Sequence, residues 1–175
     1  MIKFKDIIEN IRECSGGIVT IVNKNSPEDF LMCIKDSLED YIIVDFEDKL
    51  YTPRDIENIE KILTIKLNDT KEKFKKIVFV RQIEGFSVKD LKLSYKRYLE
   101  LLDSDTTLVV CCDSNTTTNA QLFPSMQSET ASLILHISNN KLRVLKSRFK
   151  DTKLKNTIDL TSLIRKMKLK TLNKI

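Results

Sequence analysis

Apolar positions along the chain change period several times, and the changes mark elements. The first ten residues, Met1 to Asn10, place Phe4, Ile7 and Ile8 at helical spacing with charges between them, which predicts an amphipathic helix closed by Gly16-Gly17. Ile18–Val22 is an unbroken β-branched run, as expected for a strand buried on both faces. Ser26 suits an N-cap, Pro27 the first helical position and Asp29 the third, and a helix to about Leu38 aligns Phe30, Ile34 and Leu38. Tyr41–Phe46 predicts a second buried strand running into an acidic turn at Glu47-Asp48. A helix from Pro53 to about Leu63 and a lysine-rich loop over Lys66–Lys76 follow.

Ile77–Val80 is a third strand, Val88–Leu102 a helix and Thr106–Cys112 a fourth strand. Such alternation over four short-linked units predicts a mostly parallel sheet with helices on both faces. The pattern then turns antiparallel. After a polar loop, Asp113–Asn119, and the segment Leu122–Thr130, the flanks Ala131–Ile137 and Leu142–Phe149 surround Asn139-Asn140, a pair that accepts positive φ and predicts a hairpin. A strand near Leu154–Leu160 and a basic helix from Ser162 to about Lys170 complete the reading.

With 175 residues, 41% hydrophobic and 31% charged, the chain is expected to form one compact domain over residues 1–160, followed by a basic helix or tail over 161–175. No apolar run reaches the ~20 residues of a membrane span. The acids within the amino-terminal helix fit neither a signal nor a transit peptide, so a cytoplasmic or nuclear address is expected. Charge is unevenly spread. Residues 141–175 hold twelve Lys and Arg against Asp151 and Asp159, a net +10, which leaves the first 140 residues at −5 of the total +5. An acidic body with a basic end suits contact with a polyanion or an acidic partner.

Candidate chemistry is sparse. The four cysteines, Cys14, Cys33, Cys111 and Cys112, have no metal-ligand spacing and read as small buried hydrophobes. One histidine, His136, cannot build a nucleophile and base set, and paired carboxylates such as Glu39-Asp40 read as solvated turns. No catalytic residue, cofactor or metal is expected, and enzymatic activity is not. The turn after the first strand resembles the place of a phosphate loop but lacks its glycines and its Lys-Ser/Thr, while Pro27 removes an amide and Glu28 and Asp29 add negative charge. The third strand leads into Arg81 where a magnesium-orienting Asp would stand, and Asp45, at the end of the second, reads as a turn residue.

Binding chemistry centres on the late hairpin. Lys141 and Arg143 share one face of a strand, Lys146, Arg148 and Lys150 share a face further on, and Lys153 and Lys155 continue the run. The odd step between the two sets requires a bulge or twist to bring them onto one surface. A strip of this kind suits nucleic-acid phosphates. It also suits an edge strand decorated with lysine against aggregation.

The segment Glu-Thr-Ala-Ser-Leu-Ile-Leu-His-Ile-Ser followed by Lys-Leu-Arg-Val-Leu-Lys-Ser-Arg-Phe resembles the late strand pair of RecA-superfamily domains. With the defective phosphate turn, the chain is similar to members of that superfamily that lack nucleotide motifs, above all the RecA-like accessory subunits of Elongator, the fifth in particular. The resemblance implies a RecA-like three-layer α/β fold and a non-catalytic scaffold in a hetero-oligomeric ring with two related subunits. That ring would bind tRNA and support wobble-uridine modification. A second resemblance, to recombinase-paralogue factors of the Shu type, implies DNA binding in homologous-recombination repair.

Overall fold

The computed structural model describes residues 3–24, 29–51, 75–82, 100, 104–113, 131–148 and 157–172. Within them the chain forms α1 (Phe4–Glu13), β1 (Ile18–Lys24), α2 (Asp29–Asp36), β2 (Ile42–Tyr51), β3 (Lys76–Gln82) and β4 (Thr106–Asp113). The hairpin β5 (Leu133–Ser138) and β6 (Lys141–Ser147), a short β7 (Thr157–Asp159) and α3 (Thr161–Leu172) follow.

The β-branched run of β1 lies in the interior of a seven-stranded sheet ordered β2-β3-β4-β1-β5-β6-β7. It pairs in parallel with β4 on one side and β5 on the other, and β2, β3 and β4 pair in parallel in turn. β6 and β7 add on antiparallel. The expectation of a mostly parallel three-layer α/β fold with a terminal antiparallel hairpin is met. The order differs from both common doubly wound arrangements, 3-2-1-4-5-6 and 2-1-3-4-5.

Strand alternation separates two sheet faces. Val19, Ile21, Phe79, Val109 and Leu135 lie on the face covered by α1, α2 and α3, in one cluster with Ile7, Ile11, Phe30, Ile34 and Ile164. Ile18, Thr20, Val78, Leu108 and Val110 lie on the other face and are just as buried, so the unbroken apolar runs are explained. α1 and α2 run side by side in the same direction. Phe4 meets Phe30 edge-on at 6.2 Å near their starts, and Arg12 reaches the Ser37 carbonyl and Asp40 beyond the end of α2. The Arg12 guanidinium hydrogen-bonds Asp40 through both terminal nitrogens, at 2.6 and 2.7 Å, and holds its carboxyl below the usual carboxylate range. Asp6 Oδ2 accepts the Lys3 backbone N–H at 2.6 Å and closes the first turn of α1.

Several boundaries differ from expectation. β2 runs to Tyr51, so Glu47 and Asp48 belong to a strand, where an acidic turn is expected; pairing skips from Phe46 opposite Val80 to Tyr51 opposite Gln82, which makes this stretch an irregular bulge. Asp45 consequently lies within β2 opposite Phe79, away from its end. β3 begins at Lys76, which is buried although the sequence suggests a solvated loop, and it extends through Arg81, paired opposite Cys111. Parallel strands are held along their length by both neighbours, so partners outrank local polarity at their ends. The expected helices over 53–63 and 88–102 lie outside the described residues apart from Glu100, which is helical, as do Ser26, Pro27 and Glu28.

The step from α1 into β1 depends on two glycines. Gly16 has φ of 74°, and its N–H donates to the Thr106 carbonyl at 2.9 Å, while the Gly17 carbonyl accepts from Leu108 N–H at 3.1 Å. A Cβ on Gly17 would lie 2.8 Å from Ser132 Oγ and 3.1 Å from the Cys14 carbonyl. Gly17→Ala is therefore expected to destabilise the protein by about 1–3 kcal/mol, with part of the loss recovered when Ser132→Ala is added. Denaturant unfolding of both single variants and the double variant measures the coupling, and strictly additive effects would remove the steric explanation.

Candidate nucleic-acid interface

The hairpin is built by its turn and its two apolar rows. Asn139 and Asn140 have φ of 50° and 57°, the pair of positive values a type I′ turn demands. In β6, Leu142 and Val144 are buried opposite Ile137 and Leu135, whereas Lys141 and Arg143 are exposed opposite Ser138 and His136. Burial of two aliphatic side chains at roughly 1.5–3 kcal/mol each fixes which face the cations take.

Continued alternation would carry Lys146 and Arg148 to the helix-covered face. A bulge prevents it. Pairing steps from Val144 opposite Leu135 to Lys146 opposite Ile134, which leaves Leu145 as the extra residue, 38% exposed. Beyond it Arg148 N–H donates to the Ser132 carbonyl at 2.9 Å, so the pairing continues. Cross-strand partners share a face. Lys141, Arg143, Lys146 and Arg148 therefore lie on one side of the sheet, the side away from α1, α2 and α3. The bulge required by the odd spacing is present. Lys150, Lys153 and Lys155 lie outside the described residues.

The four cations are not equivalent. Lys141, Arg143 and Arg148 are exposed, while Lys146 is half-buried with its Nζ donating to the Ala131 carbonyl at 2.6 Å. Burial, with the nearby Arg148 charge, lowers the Lys146 ammonium below its ordinary value. Lys146 thus ties the bulged end of β6 to the start of β5. Asp159, opposite Lys141 on β7, accepts the Thr161 N–H at 2.8 Å; that bond and the Lys141 charge hold its carboxyl low.

The terminal helix does not prolong this strip. Leu160 and Ile164 are buried in the core that α1 and α2 share, so α3 belongs to the opposite layer, packed beside α2. Its exposed Arg165, Lys166, Lys168 and Lys170 form a second basic surface across the sheet from the first. No periodicity within the helix or the hairpin indicates this relation, because it is set by which face each element covers.

A ligand crevice in an open α/β sheet sits beyond the carboxyl ends of strands where the connections change direction. Here that point is the end of β1 and β4, where Asn23 is paired opposite Asp113 and Lys24 opposite Ser138. The polar loop after Asp113 lies outside the described residues. Among the described residues no group of three His, Cys, Asp or Glu comes together as metal ligands. Cys14, Cys33 and Cys111 are buried, and burial pushes the Cys14 thiol up to about 12. His136 is half-buried between Val22 and Arg143. No described helix is long and apolar enough to cross a membrane.

No family model matches the sequence, and no curated protein matches it. The fold has a counterpart. It is similar to that of a Pyrococcus horikoshii OT3 protein known from a structural study, with a TM-score of 0.57 and 11% identity over 88% of this chain and 98% of that one. At that identity the likeness concerns the fold alone.

The different settings of the cations separate stability from binding. Lys146→Ala is expected to lower unfolding free energy by about 1 kcal/mol through loss of its bond to the Ala131 carbonyl, and Arg143→Ala to stay within about 0.5 kcal/mol of the parent. Urea unfolding decides it, and equal effects would contradict the assignment of Lys146 as the anchor.

Proposed function

We propose that the chain is a non-catalytic scaffold subunit of the RecA-like type, in an Elongator-type accessory ring that supports tRNA wobble-uridine modification. The basic face of β6 holds the RNA backbone. The observation that carries this reading is the single-residue bulge at Leu145, which gathers four cations onto one face of an edge hairpin. A lysine fringe that served only against aggregation needs no common face, since any outward charge deters edge pairing. A strip that contacts a polyanion does need one. The interior β1 flanked by β4 and β5, followed by a hairpin of Arg and Lys, also supports the RecA-like resemblance. In this reading the ring is completed by two related subunits, in the cytoplasm or nucleus.

The test has two arms. Affinity purification from native cells is expected to recover two RecA-like subunits together with an acetyltransferase-containing complex, and recovery of a recombinase would establish the DNA-repair alternative in its place. Purified chain is expected to bind tRNA more tightly than forked DNA at equal salt, with at least about a tenfold loss on Arg143→Glu and Arg148→Glu together. A preference for DNA, or failure to form a ring with the two partners, overturns the Elongator assignment.

A further inference from the structure

We infer that the basic face of β6 is a track for one unpaired polynucleotide strand, read through its phosphates and not its bases. The inference rests on the polyanion reading above and names the form of the ligand. From Lys141 opposite Ser138 to Arg148, whose N–H meets the Ser132 carbonyl, the strip runs along six residue steps between Ser138 and Ser132, roughly 20 Å at the rise of a strand. Same-face residues repeat about every 6.7 Å along a strand. An unpaired strand is not held to the fixed rise of about 3.4 Å per phosphate of a duplex strand, so its phosphates can spread to meet successive same-face cations.

A duplex cannot use such a line equally. At 10–10.5 base pairs per turn, three steps rotate a duplex strand by roughly 100°, and its phosphates leave a straight row after the first two. An unpaired strand can stay extended along the whole track. β5 and β6 contain no Phe, Tyr or Trp, and His136 opposite Arg143 is their one aromatic ring, half-buried, so the track relies on its charges more than on stacking. The exposed Lys141, Arg143 and Arg148 each meet one phosphate, and Lys146, bonded to Ala131, sets the register between them. Asp159 opposite Lys141 weakens that end, so Arg143 and Arg148 dominate.

The test measures binding of the full chain to a 12-nucleotide oligo-U, an oligo-dT of equal length, their duplexes of mixed sequence and tRNA, across a salt series. Both unpaired oligomers are expected to bind more tightly than duplexes at equal salt, with log K falling by about 2 per decade of salt, the signature of three phosphates on a single strand. Arg143→Glu with Arg148→Glu removes most of that slope. Arg165→Glu with Lys166→Glu, an equal change of charge on α3, leaves affinity within about threefold, because those residues lie on the other side of the sheet. Circular dichroism confirms that both double variants are folded. Duplex binding as tight as single-strand binding, or an equal loss from the α3 pair, overturns the single-strand track while the polyanion reading stands. If neither tRNA nor any oligomer binds, the polyanion reading itself falls.

Discussion

The parallel pairing of β1 with β4 and β5 at once is the constraint on which the rest of the structure depends. A strand paired along both edges and covered on both faces has no solvated position, and Ile18, Val19, Thr20, Ile21 and Val22 are all buried accordingly. Entry to that position leaves no room for a side chain at Gly17, because Ser132 at the start of β5 and the Cys14 carbonyl close over it. Helices α1 and α2 then attach to the one strand they flank in sequence. Their shared cluster with Ile164 of α3 draws the terminal helix into the same layer.

What the hairpin can offer follows from this arrangement. β5 is still an inner strand and carries Leu133, Ile134 and Leu135 fully inside. Along this row, among the described residues, it is at β6 that the face opens to solvent. Exposure along a single row shows the gradient, from buried Val22 through half-buried His136 to exposed Arg143. Leu142 and Val144 lock the inward face of β6, and Lys146 at the next inward position would bring an ammonium into the apolar core at a cost of several kcal/mol. Extrusion of Leu145 is the cheaper solution, since it sacrifices part of one aliphatic burial and one ladder step.

The chain discloses those features that local chemistry decides. Runs such as Ile18–Val22 and the core of β4 mark buried strands, Asn139-Asn140 marks a turn with positive φ, and Phe30 and Ile34 mark the inward side of α2, with Leu38 buried just past its end. It conceals what partners decide. Lys76 looks like the last residue of a lysine loop, yet its backbone N–H donates to the Asp105 carbonyl at 2.9 Å and β4 draws it into the ladder. The odd spacing between Arg143 and Lys146 announces that a bulge is required for a common face, but whether it forms depends on Leu135 and Ile134 across the hairpin. The sequence also sets the basic helix beside the basic hairpin, whereas the fold sends them to opposite faces.

That separation bears on how a polyanion can be held. A fully paired parallel sheet exposes no row of side chains along its strands, so its inner strands offer ligands only their ends. The antiparallel extension escapes this limit, because β6 is followed only by the three-residue β7, which leaves a linear row open. A charge imbalance of −5 over the first 140 residues and +10 over the rest is therefore more than a compositional accident. Of the described cations in that basic end, Lys141, Arg143, Lys146 and Arg148 lie where the fold provides an open strand face, and Arg165, Lys166, Lys168 and Lys170 lie across the sheet from them, so the sheet itself keeps the two basic surfaces apart.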